Sequence, residues 1–197
     1  MPIRRGEDWG EQVDVPAGLA IADSDAEARD LVLRGSRTFG VRSGDLARTM
    51  GGSMPGRFDG PVVRAPVDLL QVRADGEDTV AVAHVVVRRH WWRGAVVLAM
   101  NAQFLGPFDV APRSHPNDGR VDVLRVDPAM GLRARLAARR RSRVGAHLPH
   151  PLLTTSHVAR YSLEMERPAT VWVDGVRWRT ARRVEVAVEP DALTVHA

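Results

Sequence analysis

Residues 169–180 read ATVWVDGVRWRT, and the reading of this stretch decides the fold. Val171 and Val173 precede Asp174-Gly175, and Val176 and Trp178 follow it at the same spacing. A period of two puts such side chains on one face of an extended chain. Asp-Gly supplies the positive φ that a two-residue reversal needs, so the stretch predicts a β-hairpin. Similar text lies on both sides. VVRAPVDLLQVRA (62–74), DTVAVAHVVVRR (78–89), GAVVLAMNAQFLG (94–106) and RVDVLRVD (120–127) precede it. HVARYSLEME (157–166) and RRVEVAVE (182–189) flank it. Many short strands, frequent turns and almost no helix predict an antiparallel sandwich or barrel over residues 61–197. The exception is DPAMGLRARLAARRRSRVG (127–145), a helix with Leu132, Leu136 and Val144 on or near one face and arginine elsewhere.

Residues 1–60 have a different texture. After an extended lead-in over 1–17, GLAIA (18–22) reads as a short buried strand. DSDAEARDLVLRG (23–35) reads as a helix: Ser24 and Glu27 have capping-box spacing, Asp25 sits in the first turn, and Gly35 ends it. Thr38–Val41 reads as another short strand, followed by a Gly-rich loop and one short helix up to residue 56. These are pieces of an α/β unit. The expected organisation is a small α/β part at 1–60 and a β-sandwich domain at 61–197.

Composition narrows the function. There is no cysteine, which excludes disulfides and thiolate metal sites. The net charge is +4, and all 28 basic residues are arginine. The sequence pI of about 10.9 follows partly from that choice, since arginine stays protonated throughout the accessible range. It is therefore no argument for nucleic acid, and none is expected as a partner. The N-terminus lacks the apolar core of a signal peptide, and no apolar run reaches a membrane-spanning length of roughly 18 to 20 residues. The expectation is a cytoplasmic protein, with a peripheral place at a membrane open to it.

Individual residues admit two readings each. In SHPNDGRVDVLRV (114–126), Asp118 is either the bend that starts a strand or a carboxylate holding a ligand. The run RARLAARRRSR (133–143), with Arg139, Arg140 and Arg141 at its densest point, is a solvated helix face or a patch for anionic lipid. Trp91 and Trp92 are expected to pack under the sandwich, with a membrane interface as the alternative. His147 and His150 lack the spacing and third ligand of a zinc site. No phosphate-binding loop, dinucleotide fingerprint or Ser-His-Asp pattern is present.

Three colinear pieces resemble the bacterial diacylglycerol kinase family of lipid kinases. SGDLARTMGG (43–52) is similar to its Gly-Thr-x-Asn-Asp-x-Ala-Arg-x-Leu-Gly segment, with Asp45, Ala47, Arg48 and Gly51 in place. APRSHPNDGRVDVLRV (111–126) is similar to its Pro-x-Ala-x-x-x-Asp-Gly-x-Leu-Asp-Val segment. VWVDGVRWR (171–179) with VEVAVEPDALTV (184–195) resembles its Asp-Gly-Glu hairpin and closing strand, and His147 falls where the family often has a histidine. The resemblance implies a C-terminal sandwich of the NAD kinase/diacylglycerol kinase-like type behind a truncated nucleotide lobe. It also implies catalytic roles for Asp45 and Asp118 and phosphate or substrate contacts for Arg48 and Asp174. Magnesium would lie on Asp118, with Asp122 and the Arg120 carbonyl nearby.

The departures from that pattern shape the functional expectation. Where the family has Gly-Gly-Asp-Gly-Thr for ATP, this chain has ADSDAEA (22–28). Cβ atoms block the approach of backbone N–H groups to phosphate, and Asp23, Asp25 and Glu27 repel it. Like charges at about 4 Å repel by roughly 4 kcal/mol at an effective dielectric near 20. ATP is therefore not expected without a partner. Val176 replaces the hairpin glutamate that acts as, or anchors, a base, and Gly44 replaces an asparagine. The chain reads as a diverged family member, impaired alone as a kinase and serving as a lipid or membrane-surface module. Two alternatives stay open: a lipid kinase completed by a separate nucleotide-lobe protein, and a structural homodimer or partner subunit.

Overall fold

The computed structural model describes residues 9–51 and 57–197. The first part of the lead-in (1–8) and the Gly-rich loop at 52–56 lie outside the described residues. In chain order the elements are β1 (Glu11–Val13), β2 (Ile21–Ala22), α1 (Asp25–Leu33), β3 (Thr38–Val41), α2 (Asp45–Thr49) and β4 (Val62–Ala74). They continue with β5 (Glu77–Ala81), β6 (His84–Arg88), β7 (Val96–Met100), β8 (Phe104–Leu105), β9 (Phe108–Asp109) and β10 (Val121–Val126). The chain ends in α3 (Leu132–Arg141), β11 (Leu153–Val158), β12 (Arg160–Val173) and β13 (Val176–His196).

One continuous sheet runs β1-β4-β13-β12-β6-β7-β10-β11, with β5 added to β4. Its pairings are antiparallel except where β3 joins β13 and β2 joins β3. The expected hairpin is present: Val173 pairs with Val176 and Asp174 takes φ +48°. The same long strands turn from one layer into the other at register breaks. One lies between Glu164 and Ala169 in β12, where Pro168 cannot donate to the ladder, and one between Glu189 and Leu193 in β13.

The period-two pattern explains the cores. In β6 and β7, Val85, Val87, Val97 and Ala99 point into the sandwich interior with Leu70, Val72, Val171 and Val184. Val86, Val96, Leu98 and Met100 point the other way, into a second core covered by the α3 segment. A strand covered on both faces reads as an unbroken apolar run, as VVLAM does. A third core packs Ala28 and Val32 of α1 and Leu46 of α2 against Phe39, Val67 and Val195. The N-terminal elements thus share a core and a sheet with the sandwich.

The capping box expected in α1 is reciprocal. Ser24 Oγ accepts the Glu27 N–H at 3.2 Å, and Glu27 Oε2 accepts the Asp23 N–H at 2.7 Å. The helix expected across 127–145 starts later, at Leu132, because Gly131 and Pro128 resist helix formation ahead of it. Leu132 and Leu136 face water, as does Val144 beyond the helix end, and Arg135 is buried instead. The expectation that Trp91 and Trp92 pack under the sandwich is also overturned: they are 39% and 44% exposed. Their loop is tied down through its backbone, since Arg135 takes the carbonyls of Trp91 and Gly94 and leaves the rings outside.

Candidate functional site

Four titratable side chains meet where the N-terminal elements join the sandwich. Asp25 reaches from α1 to the start of α2, where its carboxylate accepts the N–H groups of Asp45 (2.7 Å) and Leu46 (3.0 Å). Asp45 is thereby released from capping its own helix. Its Oδ2 lies 2.9 Å from His84 Nε2, and its Oδ1 accepts the Gly106 N–H at 2.8 Å. Arg48, one turn on, donates to the Gly106 carbonyl at 2.7 Å and lies 3.9 Å over the Phe104 ring. Asp45 and Arg48 thus hold both sides of one glycine in the β8–β9 turn. Asp174 is buried beneath them, accepting the N–H groups of Val82, Ala83 and His84 at 2.9 to 3.1 Å.

Burial dominates the electrostatics. Desolvation pushes the Asp25 carboxyl up to about 6, against the pull of its two N–H donors. Burial likewise raises Asp174, with His84 and three N–H groups opposing. For His84, burial lowers the imidazolium, but the Asp45 hydrogen bond and the Asp174, Asp45 and Asp25 charges outweigh it and the net direction is up. His84 Nδ1 is buried without a partner.

Asp45 and His84 also line a cavity of about 520 Å³ whose remaining walls are mostly apolar. Its floor is the outward face of β7 and β10, with Val96, Leu98 and Leu124; its roof is α3 with Ala138. The cause is local. The helix turns Ala134, Arg135, Ala138 and Ser142 inward, and the two alanines bring only short side chains to that core. The cavity's size falls within the range of small-molecule sites, roughly 300 to 1,000 Å³.

A second cluster forms at the opening of β10. Asp122 and His157 are direct cross-strand partners on β10 and β11, and Asp118 joins them from the preceding turn. Asp118 closes the expected bend, with Oδ1 accepting the Arg120 N–H at 2.9 Å, while Oδ2 meets His157 Nε2 at 3.0 Å. Burial raises the Asp122 carboxyl, and its buried Oδ2 has no hydrogen-bond partner among the described residues. Two carboxylates and an imidazole within reach of one ion are a chemically suitable donor set for a divalent cation. The turn is anchored from below by buried Asp68, which accepts the N–H groups of Gly119 (2.6 Å) and Asp191 (2.9 Å).

The structure therefore brings Asp45, Arg48 and Asp174 together and puts Asp118 and Asp122 in a separate cluster. Asp174 serves the Val82–His84 backbone, and Arg48 serves Gly106 and Phe104. Arg139, Arg140 and Arg141 are exposed on α3, with Arg139 at the cavity mouth. Sequence reading missed His84, Asp25 as the cap of α2, and His157. The available signal was a lone imidazole inside the apolar run AVAHVVV; the pairing of His157 with Asp122 exists only in the folded sheet. Gly44 has a local explanation: a Cβ there would stand 2.6 Å from Asp25 Oδ1, and φ is +108°.

No curated protein matches this sequence. Solved structures that share the fold include three described as diacylglycerol kinases of Bacillus anthracis str. Sterne, two of them provisionally. The first has TM-score 0.58 at 12% identity, covering 80% of this chain and 68% of that one. The second has 0.55 at 16%, covering 80% and 66%. The third has 0.58 at 13%, covering 80% and 68%. Residues 65–197 match the family model of the YegS C-terminal NAD kinase beta sandwich-like domain. Sheet, hairpin and family match agree, and the chain belongs to the family of the YegS C-terminal NAD kinase beta sandwich-like domain.

Proposed function

We propose that this protein binds a lipid through an aliphatic chain held in the cavity between β7, β10 and α3, with the lipid's polar end at Asp45 and His84. One observation carries the reading: the cavity is walled by apolar side chains and carries a hydrogen-bonded carboxylate–imidazole pair in its lining. Such a pair both accepts and donates, which suits a hydroxyl. His84 also supplies a titratable group to a hairpin that carries Val176 where the related segment has glutamate. A peripheral place at the membrane follows from the nature of the ligand.

The same reading assigns the chain no nucleotide cradle of its own. The α1 N-terminus is already satisfied by Ser24 and Glu27, and Asp23 is held by Arg42 at 2.6 Å. Magnesium would be held by Asp118 and Asp122, with His157 beside them, and would tie the β10 turn to β11. The orphaned oxygen of Asp122 supports that fit. A second reading has support from the Asp45–His84 pair: beside a separate nucleotide lobe, it is placed to take the proton of a lipid hydroxyl during phosphoryl transfer.

The test is displacement of a fluorescent fatty-acid reporter by monoacylglycerols, followed by calorimetry with ATP–Mg²⁺. The expected result is saturable reporter binding, competition by the monoacylglycerol, and no nucleotide heat. Failure of the reporter to bind removes the lipid reading. Micromolar ATP binding removes the statement about the cradle.

A further inference from the structure

Helix α3 has two faces of opposite character. Successive residues step by about 100° around a helix. On that wheel Ala134, Arg135, Ala138 and Ser142 turn inward, and Leu132, Leu136, Arg139 and Arg140 share the outer side. Leu132 is 54% and Leu136 48% exposed, and Val144 just beyond the helix is more exposed still. No acidic residue occurs in the helix. Arginine among exposed large apolar side chains is the composition of a surface that lies in a lipid headgroup boundary.

The tryptophan loop extends this face. The Arg139 guanidinium lies 5.9 Å over the Trp92 ring and 4.7 Å over Phe108. Buried Arg135 locks the two parts together by donating to the carbonyls of Met130 and Asp127 on the helix side and of Trp91 and Gly94 on the loop side. Trp91, Trp92 and Arg139 also line the cavity, so the exposed face and the cavity mouth share residues. Exposed large apolar side chains joined through Arg139 in this way mark an interaction site. Arginines on a helix without an acidic residue indicate an anionic occupant, and tryptophan is the side chain favoured at headgroup level.

We propose that this face docks on an anionic lipid bilayer, with Leu132, Leu136, Trp91 and Trp92 entering the headgroup boundary and Arg139 and Arg140 meeting lipid phosphates. The inference rests on the lipid reading above and adds the route, because docking sets the cavity mouth against the membrane. Arg141 lies about half a turn from Leu132 and takes no part.

The experiment is co-sedimentation with vesicles of phosphatidylcholine alone and of phosphatidylcholine mixed with phosphatidylglycerol. Wild type sediments with the mixed vesicles and only weakly with the neutral ones. L132S/L136S and R139S/R140S each weaken that binding about tenfold or more, as expected for lost apolar insertion and lost surface charge. R141S stays within about twofold of wild type. Tryptophan emission shifts to the blue on the mixed vesicles, and W91F/W92F removes the shift. All the altered side chains are exposed, and circular dichroism confirms that each variant is folded. Wild-type vesicle binding in L132S/L136S overturns the proposal, because attraction would then be charge alone. A doubled solution mass that L132S/L136S abolishes also overturns it, since a second copy would then cover the face. Reporter displacement without vesicles separates the two ideas: cavity binding that survives in L132S/L136S, whose side chains do not line the cavity, leaves the lipid reading intact whatever sedimentation shows. A reporter that never binds removes the lipid reading, while sedimentation still decides the docking face.

Discussion

Asp25 and Gly44 form a matched pair. The carboxylate of Asp25 fills the space a Cβ at residue 44 would need, and it satisfies two N–H groups that α2 cannot satisfy itself. Gly44→Ala should lose about 1–3 kcal/mol from strain at positive φ and the close contact; an unchanged urea midpoint would refute the pairing. Asp25 also makes stability depend on pH. Its folded carboxyl lies near 6 against an ordinary 3.8. Between about pH 4 and 6 the native state keeps a proton that the unfolded chain releases, so stability falls as pH rises through that window and levels off above it. A shift of about two units corresponds to roughly 3 kcal/mol. Asp25→Asn should erase this step. The difference between wild type and variant isolates it from His115, His147 and His196, which burial lowers and which act in the opposite sense. Parallel stability–pH curves for the two proteins would rule it out.

Helix α3 has little apolar side chain facing the sheet, and a buried arginine does much of the fastening. Four carbonyls converge on the Arg135 guanidinium, from Met130, Trp91, Gly94 and Asp127. Charged donors to neutral acceptors are worth more than ordinary hydrogen bonds, and a lost donor leaves the carbonyls unpaired. Arg135→Met should cost about 2–4 kcal/mol. Limited proteolysis should then cut the 89–95 loop before any other described segment. Cleavage at the wild-type rate would mean that the loop is held by something else. The α3 pattern also shows why its orientation was not legible in sequence. Leu132 and Leu136 mark a helical face by spacing alone, and spacing does not say whether that face meets a core or a membrane.

At the scale of the molecule, one sheet carries three cores, and the one under α3 is left underfilled where the helix turns alanines inward. A ligand chain that completes it should bind more tightly with each methylene, by about 0.8 kcal/mol or roughly fourfold. The gain should stop once the cavity is full, so a competition series in monoacylglycerol chain length should rise and then plateau. Affinity independent of chain length would exclude the cavity as the site. Ala138→Leu fills the same space from the protein side. It should raise thermal stability slightly, by up to about 1 kcal/mol, while weakening reporter binding about tenfold or more. Unchanged reporter affinity in that variant would place the ligand elsewhere.

The sequence by itself determined the strands, the Asp174-Gly175 hairpin, the reciprocal Ser24–Glu27 cap and the family of the β-sandwich domain. Each of these rests on neighbours within a few residues, where backbone sterics and side-chain period act directly. Only the tertiary structure decided that Asp25 caps α2 across 20 residues, that His84 meets Asp45 across 39, and that His157 faces Asp122 across a strand pair. It alone turned Leu132, Leu136, Trp91 and Trp92 outward. These depend on which surfaces the folded sheet brings together and on what burial does to a charge, and neither quantity exists until the chain has closed on itself.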